Sequence, residues 1–295
     1  MDLVIMLIIS VLPVYLIGLY VYKKDREKES SKLLTKLFIL GMISCFPAAF
    51  IEVAIEPLFG MTDYMTYIEL FIYVGIGIAL VEEALKWLIV YRNSYNHPEF
   101  THVYDAIVYC VFVSLGFACL ENLFYVFSAT TIWVGILRAV TAIPGHACDA
   151  VIMGDYLGLA KMYKVKGDKS QESKNKFLSL LMPVLTHTIY DFCLYTGSLT
   201  YIIIFIIFVI FIYIFSVKKI KKVANVIDDF DGDTSTDNVA LEDAYIAPIV
   251  PTSDTNDISS VNNSMEPLSN NVNFCPNCGT KAVGTFCTNC GKKLR

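Results

Sequence analysis

Seven apolar stretches, each long enough to cross a lipid bilayer as a helix, take up most of the first 217 residues of the chain. A spanning helix needs about 20 predominantly apolar residues. Only 17% of the residues are charged, whereas a soluble domain has about 25%. The sequence therefore predicts an all-α polytopic membrane protein with about seven transmembrane helices, which we place at about 2–22, 36–55, 66–91, 104–127, 131–161, 177–197 and 201–217.

The basic residues of the loops predict which way these helices cross the membrane. Lysine and arginine cluster in segments 23–36, 161–176 and 218–222. The connections between these segments contain neither residue type, at 56–65, 128–130 and 198–200. Because cytoplasmic loops carry an excess of Lys and Arg, we expect the N-terminus outside and the C-terminus in the cytoplasm.

The fifth stretch is too long for one straight helix across a bilayer. Residues 131–161 would extend about 45 Å, and Pro144-Gly145 lies near the middle. Either one broken helix crosses once, or two short segments enter and return, which gives eight spans. Eight spans would put one basic loop outside, so we predict a broken fifth span and seven crossings.

The composition changes after Lys222. Residues 223–280 contain ten acidic residues and no Lys or Arg. A segment of this kind buries too little apolar surface to fold by itself. We therefore divide the chain into a transmembrane domain at 1–222, an acidic flexible linker at 223–272 and a small C-terminal domain at 273–295.

Two C-x-x-C pairs, CPNC and CTNC, stand eight residues apart in the C-terminal domain. Four thiolates at such spacing close a tetrahedral site. Disulfides are disfavoured in the cytoplasm, and a redox pair would need a βαβ context that is absent. The pattern predicts structural Zn²⁺ in a small cytoplasmic zinc ribbon, with the ligands Cys275, Cys278, Cys287 and Cys290. The other five cysteines lie in apolar stretches and are predicted to pack there.

Ionisable residues inside the apolar stretches are the main functional signal. Each costs about 2.5–3.5 kcal/mol at a helix centre on insertion scales, and such residues usually face the bundle interior and serve a function. The polar residues are Glu82, Glu83 and Lys86 in the third stretch, Glu121 and Asn122 in the fourth, His146 in the fifth, and His187 and Asp191 in the sixth.

Helix geometry relates these residues to one another. Glu82 and Lys86 have the i,i+4 spacing of an ion pair, which leaves Glu83 without an evident cation. By helical rise the two glutamates and His187 lie at similar depths, about 13 and 15 Å from the basic ends of their spans. The same count puts Glu121 about 10 Å further out.

Four motifs on successive stretches, VEEALK, FACLEN, RAV with HACDAVIMG, and HTIYD, together resemble the PrsW family of intramembrane proteases. The resemblance covers roughly residues 35 to 215 and extends distantly to CAAX-processing and bacteriocin-processing membrane proteases and to a γ-secretase subunit. It implies an intramembrane endopeptidase that cleaves a membrane or membrane-proximal protein, as in regulated cleavage of an anti-sigma factor.

The resemblance also implies roles for individual residues. Those implied to be catalytic are Glu82, Glu83, Glu121, His146 and His187, and those implied to support them are Lys86, Asn122 and Asp191. The chain departs from the pattern after His146. Relatives often have Thr or Ser four residues later, where this chain has Ala150 beside Asp149. The departure affects the local hydrogen bonding and not the histidine itself.

The residue types fit hydrolysis of a peptide bond by activated water. Glu82 or Glu83 would act as the general base, and the histidines would donate to the developing oxyanion and the leaving amine. Two histidines and a glutamate also match a hydrolytic zinc triad. No H-E-x-x-H is present and Lys86 would oppose a cation, so the sequence favours metal-free catalysis over a catalytic metal.

Two other functions fit the same residues. In a non-catalytic scaffold or receptor, the polar cluster would bind a partner helix and the ribbon would recruit a cytoplasmic protein. A proton-coupled transporter would use Glu and His as a relay, but it predicts internal repeats, and the sequence shows none. The expected partners are a membrane-protein substrate, the lipid bilayer of a bacterial cell and a cytoplasmic protein at the ribbon; no nucleic acid is expected.

The zinc ribbon gives a first testable prediction. Metal analysis of the C-terminal segment should find one zinc, because four thiolates complete a tetrahedral site. Replacing Cys275 and Cys278 by serine should remove that zinc, since the folding of so short a segment depends on the metal. A segment that binds no zinc would overturn the assignment.

Overall fold

The described part of the protein is a bundle of helices with two short strands near the C-terminus. The structure is a computed structural model, and it describes residues 3–59, 65–128, 131–225, 273–274 and 281–282. The helices are α1 (Leu3–Lys24), α2 (Ser31–Phe59), α3 (Tyr67–Ile72), α4 (Leu80–Ser94), α5 (Val103–Ser128), α6 (Ile132–Val140), α7 (Ala142–Val165), α8 (Lys169–Tyr195) and α9 (Leu199–Val223). A π-helical segment, Tyr73–Ala79, joins α3 to α4 without a break.

Six helical segments among the described residues are long and apolar enough to cross a membrane. They are Val4–Lys24, Ser31–Phe59, Val103–Ser128, Ile132–Val165, Lys169–Tyr195 and Leu199–Val223. The third predicted span is the continuous run from α3 to α4, which contains three closely spaced charged residues, Glu82, Glu83 and Lys86. The prediction of an all-α polytopic membrane protein is confirmed.

The α1–α2 connection, the α4–α5 connection and the end of α7 meet at one end of the bundle. The Ser30 amide donates to Glu99 Oε2 at 3.0 Å, which joins the α1–α2 connection to the α4–α5 connection. Lys164 Nζ donates to Asn96 Oδ1 at 2.6 Å, which brings the end of α7 to the same place. Helix α5 starts at this end and α7 returns to it, so the run from α6 to α7 crosses once. Which end faces the cytoplasm stays a prediction.

The break in the fifth span lies at Thr141, between α6 and α7, and not at Pro144 itself. Proline has no N–H, and its ring clashes with the carbonyl four residues earlier, which here belongs to Val140. Tyr213 of α9 donates its hydroxyl to that carbonyl at 2.8 Å. A backbone acceptor that proline leaves without a helical partner is thus satisfied inside the apolar bundle.

Helix α5 lies at the centre of the bundle and packs against α1, α2 and α7, with most of its side chains buried. Glycines allow its neighbours to approach. A Cβ at Gly116 of α5 would collide with the Phe38 carbonyl of α2, and one at Gly154 of α7 would lie 2.5 Å from Ile107 Cα of α5. Small residues bring helix backbones close in a membrane, where van der Waals contact drives association.

The π-helical segment, with the sequence YVGIGIA, directly precedes α4. Its Gly75 lies against α8, and a Cβ there would be 3.3 Å from the Thr188 side chain. The π-helical turn is rare in proteins as a whole, and many of the known examples lie at functional sites. The close approach lets α8 present His187, the neighbour of Thr188, beside the start of α4.

The strands β1 (Asn273–Phe274) and β2 (Lys281–Ala282) pair antiparallel, with Asn273 opposite Ala282. The four cysteines predicted to bind zinc lie outside the described residues, as does nearly all of the predicted linker. The zinc ribbon and the domain boundaries therefore stay predictions. The other five cysteines are buried and form no disulfide, in agreement with their predicted packing role: Cys45, Cys110, Cys119, Cys148 and Cys193.

A pair of buried carboxyl groups lies in the α1–α2 connection, outside the spans. Asp25 and Glu29 are each 5% exposed. Burial, together with the charge of Asp105, raises the pKa of Asp25 to about 6. Burial also raises the pKa of Glu29, although Tyr109 donates a hydrogen bond to Glu29 Oε2 at 2.6 Å. Both groups hold protons more tightly in the folded chain than in the unfolded chain.

Stability should therefore fall as the pH rises through this range. Above about pH 4 the unfolded chain releases protons that the folded chain keeps, and for Asp25 the loss continues to about pH 6. We expect the thermal midpoint in detergent to fall between about pH 5 and 8. The fall should be smaller in Asp25→Asn and in Glu29→Gln.

Glu27→Gln, an exposed position in the same connection, is the matched control and should keep the pH dependence of the unmodified chain. If both buried-site variants also keep it, the protonation account of this connection is wrong.

Candidate active site

Lys86 lies at the centre of a buried polar cluster. Its Nζ donates to Glu82 Oε2 at 2.9 Å and to Glu83 Oε1 at 2.8 Å, and it lies 3.1 Å from His146 Nδ1 of α7. The i,i+3 and i,i+4 spacings put the lysine and both glutamates on one face of α4. The sequence predicted a pair of Glu82 with Lys86 alone; the structure shows one ammonium compensating both carboxylates.

His187 enters the cluster from α8. Its Nδ1 lies 3.0 Å from Glu83 Oε1, and its Nε2 lies 3.4 Å from Asp191 Oδ2, one helical turn further on. The rings of His187 and His146 are nearly perpendicular, with centroids 5.4 Å apart. Two imidazoles from different helices thus face the same group of oxygen atoms.

A second line of contacts holds His146 from outside. Its Nε2 lies 2.9 Å from Glu121 Oε2 of α5, and Glu121 Oε1 pairs with Arg138 Nη2 of α6 at 2.8 Å. Since a carboxylate only accepts, Nε2 carries the proton of a neutral ring and Nδ1 presents its lone pair to Lys86. Glu121 is therefore part of the cluster. Its greater depth by helical rise in the sequence does not separate it from the site, because it contacts His146 directly.

A cavity of about 270 Å³ opens beside these residues. Of the residues singled out in the sequence, it is lined by Glu82, Glu121, His146, His187 and Asp191. It is also lined by Glu52 of α2 and by Asp149, which accepts a hydrogen bond from Thr186. Glu52 Oε1 is buried and has no hydrogen-bond partner among the described residues.

The eight residues proposed from the sequence lie in one contact network. Asn122 is the outermost, since it meets the network through Arg138, whose Nε donates to Asn122 Oδ1 at 3.2 Å. Sequence reasoning gave no role to Arg138 or Glu52. Each is a charged residue inside an apolar stretch, and this feature could have drawn attention to both. Their partners could not be predicted, because the partners depend on which helices are neighbours.

Four side chains of the cluster offer a ligand set for a metal ion. The donor atoms of Glu82, Glu83, His146 and His187 all lie within 4.8 Å of one another, and all four residues are buried. Glu83 Oε2 is buried with no hydrogen-bond partner in the described chain, so one ligand atom is free. Two imidazoles and a carboxylate suit a hydrolytic Zn²⁺. The set fits a divalent cation, although Lys86 Nζ now lies among its donor atoms.

The fold and the cluster together define a class of protein: a polytopic membrane hydrolase with its reactive groups inside the helix bundle. Residues 29–216 match the family described as PrsW family intramembrane metalloprotease. The chain is 39% identical over 175 residues to Protease PrsW of Oceanobacillus iheyensis, which covers 59% of this chain and 76% of the relative. No solved structure matches the chain.

Two further relatives carry the same name. Protease PrsW of Clostridioides difficile is 35% identical over 192 residues, covering 63% of this chain and 78% of the relative. Protease PrsW of Bacillus subtilis is 35% identical over 178 residues, covering 59% and 76%. The chain belongs to the PrsW family. It is an intramembrane protease and a multi-pass bacterial membrane protein.

The family description names a metalloprotease, which goes against the preference for metal-free catalysis drawn from the sequence. That preference rested in part on the absence of H-E-x-x-H. The motif is not needed here, because the donor atoms come from three helices, α4, α7 and α8. Lys86, the other reason, remains relevant because its ammonium lies among the donors.

The pair of Arg138 with Glu121 gives a stability prediction. Arg138→Met would leave the Glu121 carboxylate without its cation. Removing one partner from a fully buried pair costs about 3–5 kcal/mol, and these side chains are 18% and 17% exposed, so we expect about 2 kcal/mol in unfolding free energy. The measurement is chemical denaturation in detergent micelles.

The double variant Glu121→Gln/Arg138→Met removes both charges and should recover part of that loss. Arg92→Met, at an exposed arginine of α4, is the control and should change little. Equal losses in the single and double variants would show that the charge pair is not the cause.

Proposed function

We propose that the chain hydrolyses a peptide bond of a membrane or membrane-proximal protein in the cavity beside Lys86, with Glu82 as the general base. The supporting observation is a difference in access between the two glutamates. Glu82 lines the cavity, where water and substrate can reach it, whereas Glu83 is 0% exposed. A general base must lie within hydrogen-bond reach of the water that it deprotonates.

In this proposal the two glutamates have different tasks. Glu82 takes a proton from the attacking water and passes it to the nitrogen of the leaving amine. Glu83, His146 and His187 form the set that would hold a divalent cation. When bound, such an ion supplies a Lewis acid that polarises the substrate carbonyl.

The histidines act as ligands in this scheme and not as proton donors, which differs from the role expected from the sequence. The supporting geometry is the direction of the rings. His146 Nε2 faces Glu121 and His187 Nε2 faces Asp191, so both rings turn Nδ1 toward the centre of the cluster. An imidazole that ligates a metal usually donates its other N–H to a carboxylate or carbonyl in this way.

Our proposal for the substrate rests on the resemblance to the PrsW family alone. Proteases of this family are associated with cleavage of anti-sigma factors, so we propose an anti-sigma factor that spans the membrane. The test is substrate trapping: the Glu82→Gln chain, expressed in the native cell, should retain an uncleaved membrane protein that the unmodified chain does not. Recovery of only soluble proteins would contradict the proposal.

Loss of the general base should abolish cleavage while leaving the fold intact. In lipid-reconstituted protein we expect Glu82→Gln to slow cleavage of a spanning substrate by about 10²–10⁴-fold. Glu83→Gln and His187→Ala should be comparably inactive. Glu56→Gln, at an exposed position of α2, is the matched control. A Glu82→Gln chain that cleaves at the normal rate would exclude Glu82 as the base.

A further inference from the structure

The ammonium of Lys86 takes the place that a metal ion would need. Its three polar contacts are Glu82 Oε2 at 2.9 Å, Glu83 Oε1 at 2.8 Å and His146 Nδ1 at 3.1 Å. These contacts belong to three of the four residues whose donor atoms converge within 4.8 Å. The side chain is 1% exposed, so the ammonium is held by these contacts and not by water.

The contact with His146 excludes simultaneous binding. A neutral imidazole has one nitrogen with a lone pair, and the hydrogen bond of Nε2–H to Glu121 makes Nδ1 that nitrogen. This single lone pair now accepts an N–H of Lys86. It can hold the ammonium or a metal ion, but not both.

We propose that Lys86 is an internal competitor for the divalent cation: its ammonium fills the ligand cage in the metal-free protein and leaves the donor atoms when the ion binds. The inference rests on the metal-holding set of the proposed function. Lys86 is a positioning residue in this account, because it keeps two buried carboxylates and His146 assembled while no ion is present. Without a cation those carboxylates would be uncompensated in an apolar bundle.

The competition predicts the direction in which metal affinity changes when Lys86 is removed. An ion that must displace Lys86 binds with an affinity lowered by the fraction of time that the cage is open. If the ammonium fills the cage for about nine-tenths of the time, its removal should tighten binding roughly tenfold. The variant should also gain more thermal stability from the ion, because the ion then replaces the positive charge that Lys86 supplies to Glu82 and Glu83 in the unmodified chain.

The experiment measures metal binding directly and does not depend on cleavage. The full-length chain is purified in detergent with its four C-terminal cysteines replaced by serine, so that the predicted ribbon contributes no metal. Zn²⁺ affinity is measured by calorimetric titration, and Co²⁺ binding by its visible absorption. Lys86→Met is compared with the unmodified background and with Lys36→Met, an exposed lysine of α2.

The expected result is a Kd roughly tenfold lower in Lys86→Met, with a larger metal-induced rise in Tm, and no change in Lys36→Met. Lys86→Met leaves two buried carboxylates without their ammonium, so the charge-matched variant Glu82→Gln/Lys86→Met is the second test and applies if the single variant does not fold. It keeps Glu83, His146 and His187 and should also bind more tightly than the background.

Affinity that is unchanged or weaker in whichever variant folds would overturn the competition, and so would the absence of binding in every chain. Either result leaves the peptidase test of Glu82→Gln standing. Conversely, tighter binding in Lys86→Met together with normal cleavage by the Glu82→Gln chain would support the competition while contradicting the proposed base.

Discussion

The hydrogen-bonded ammonium of Lys86 is the interaction on which the rest of the site depends. Two carboxylates of α4 lie inside an apolar bundle, where each isolated charge is costly, and one cation contacts both at 2.9 and 2.8 Å. The same ammonium contacts His146 Nδ1, and Glu83 in turn contacts His187. Side chains from three helices are therefore linked through a single lysine.

Close backbone packing makes these contacts possible. Helix α5 carries Glu121 on a backbone that glycines bring against α2 and α7, and Ser114 of α5 donates to the His146 carbonyl at 2.8 Å. If the helices were held further apart, the side chains of the cluster would be too short to contact one another. In a membrane this spacing depends on small residues and shape, because lipid is as apolar as the helix surfaces.

The positions of the helices and the alternating direction of successive spans could be predicted, because the length of an apolar stretch and the charge of a loop are local properties of the sequence. The motifs also identified the residues of the cluster. Three features could not be read in the same way. The break at Thr141 depends on the Pro144 ring and on Tyr213, far along the chain. The contacts of Glu121 with His146 and Arg138 depend on which helices are neighbours, which packing sets. The sharing of Lys86 between Glu82 and Glu83 depends on a rotamer, since both spacings are within reach.

The π-helical segment before α4 has a consequence for the angular phase of the site. A π-helical turn holds more residues than an α-helical turn, and one residue in a regular helix corresponds to about 100° of rotation. Because the wider turn takes up an additional residue, converting YVGIGIA to a regular α-helix of the same length would turn the downstream face by about that angle. Glu82, Glu83 and Lys86 would rotate together away from His146 and His187, so the π-helical form of Tyr73–Ala79 matters as much to the site as the identity of its charged groups.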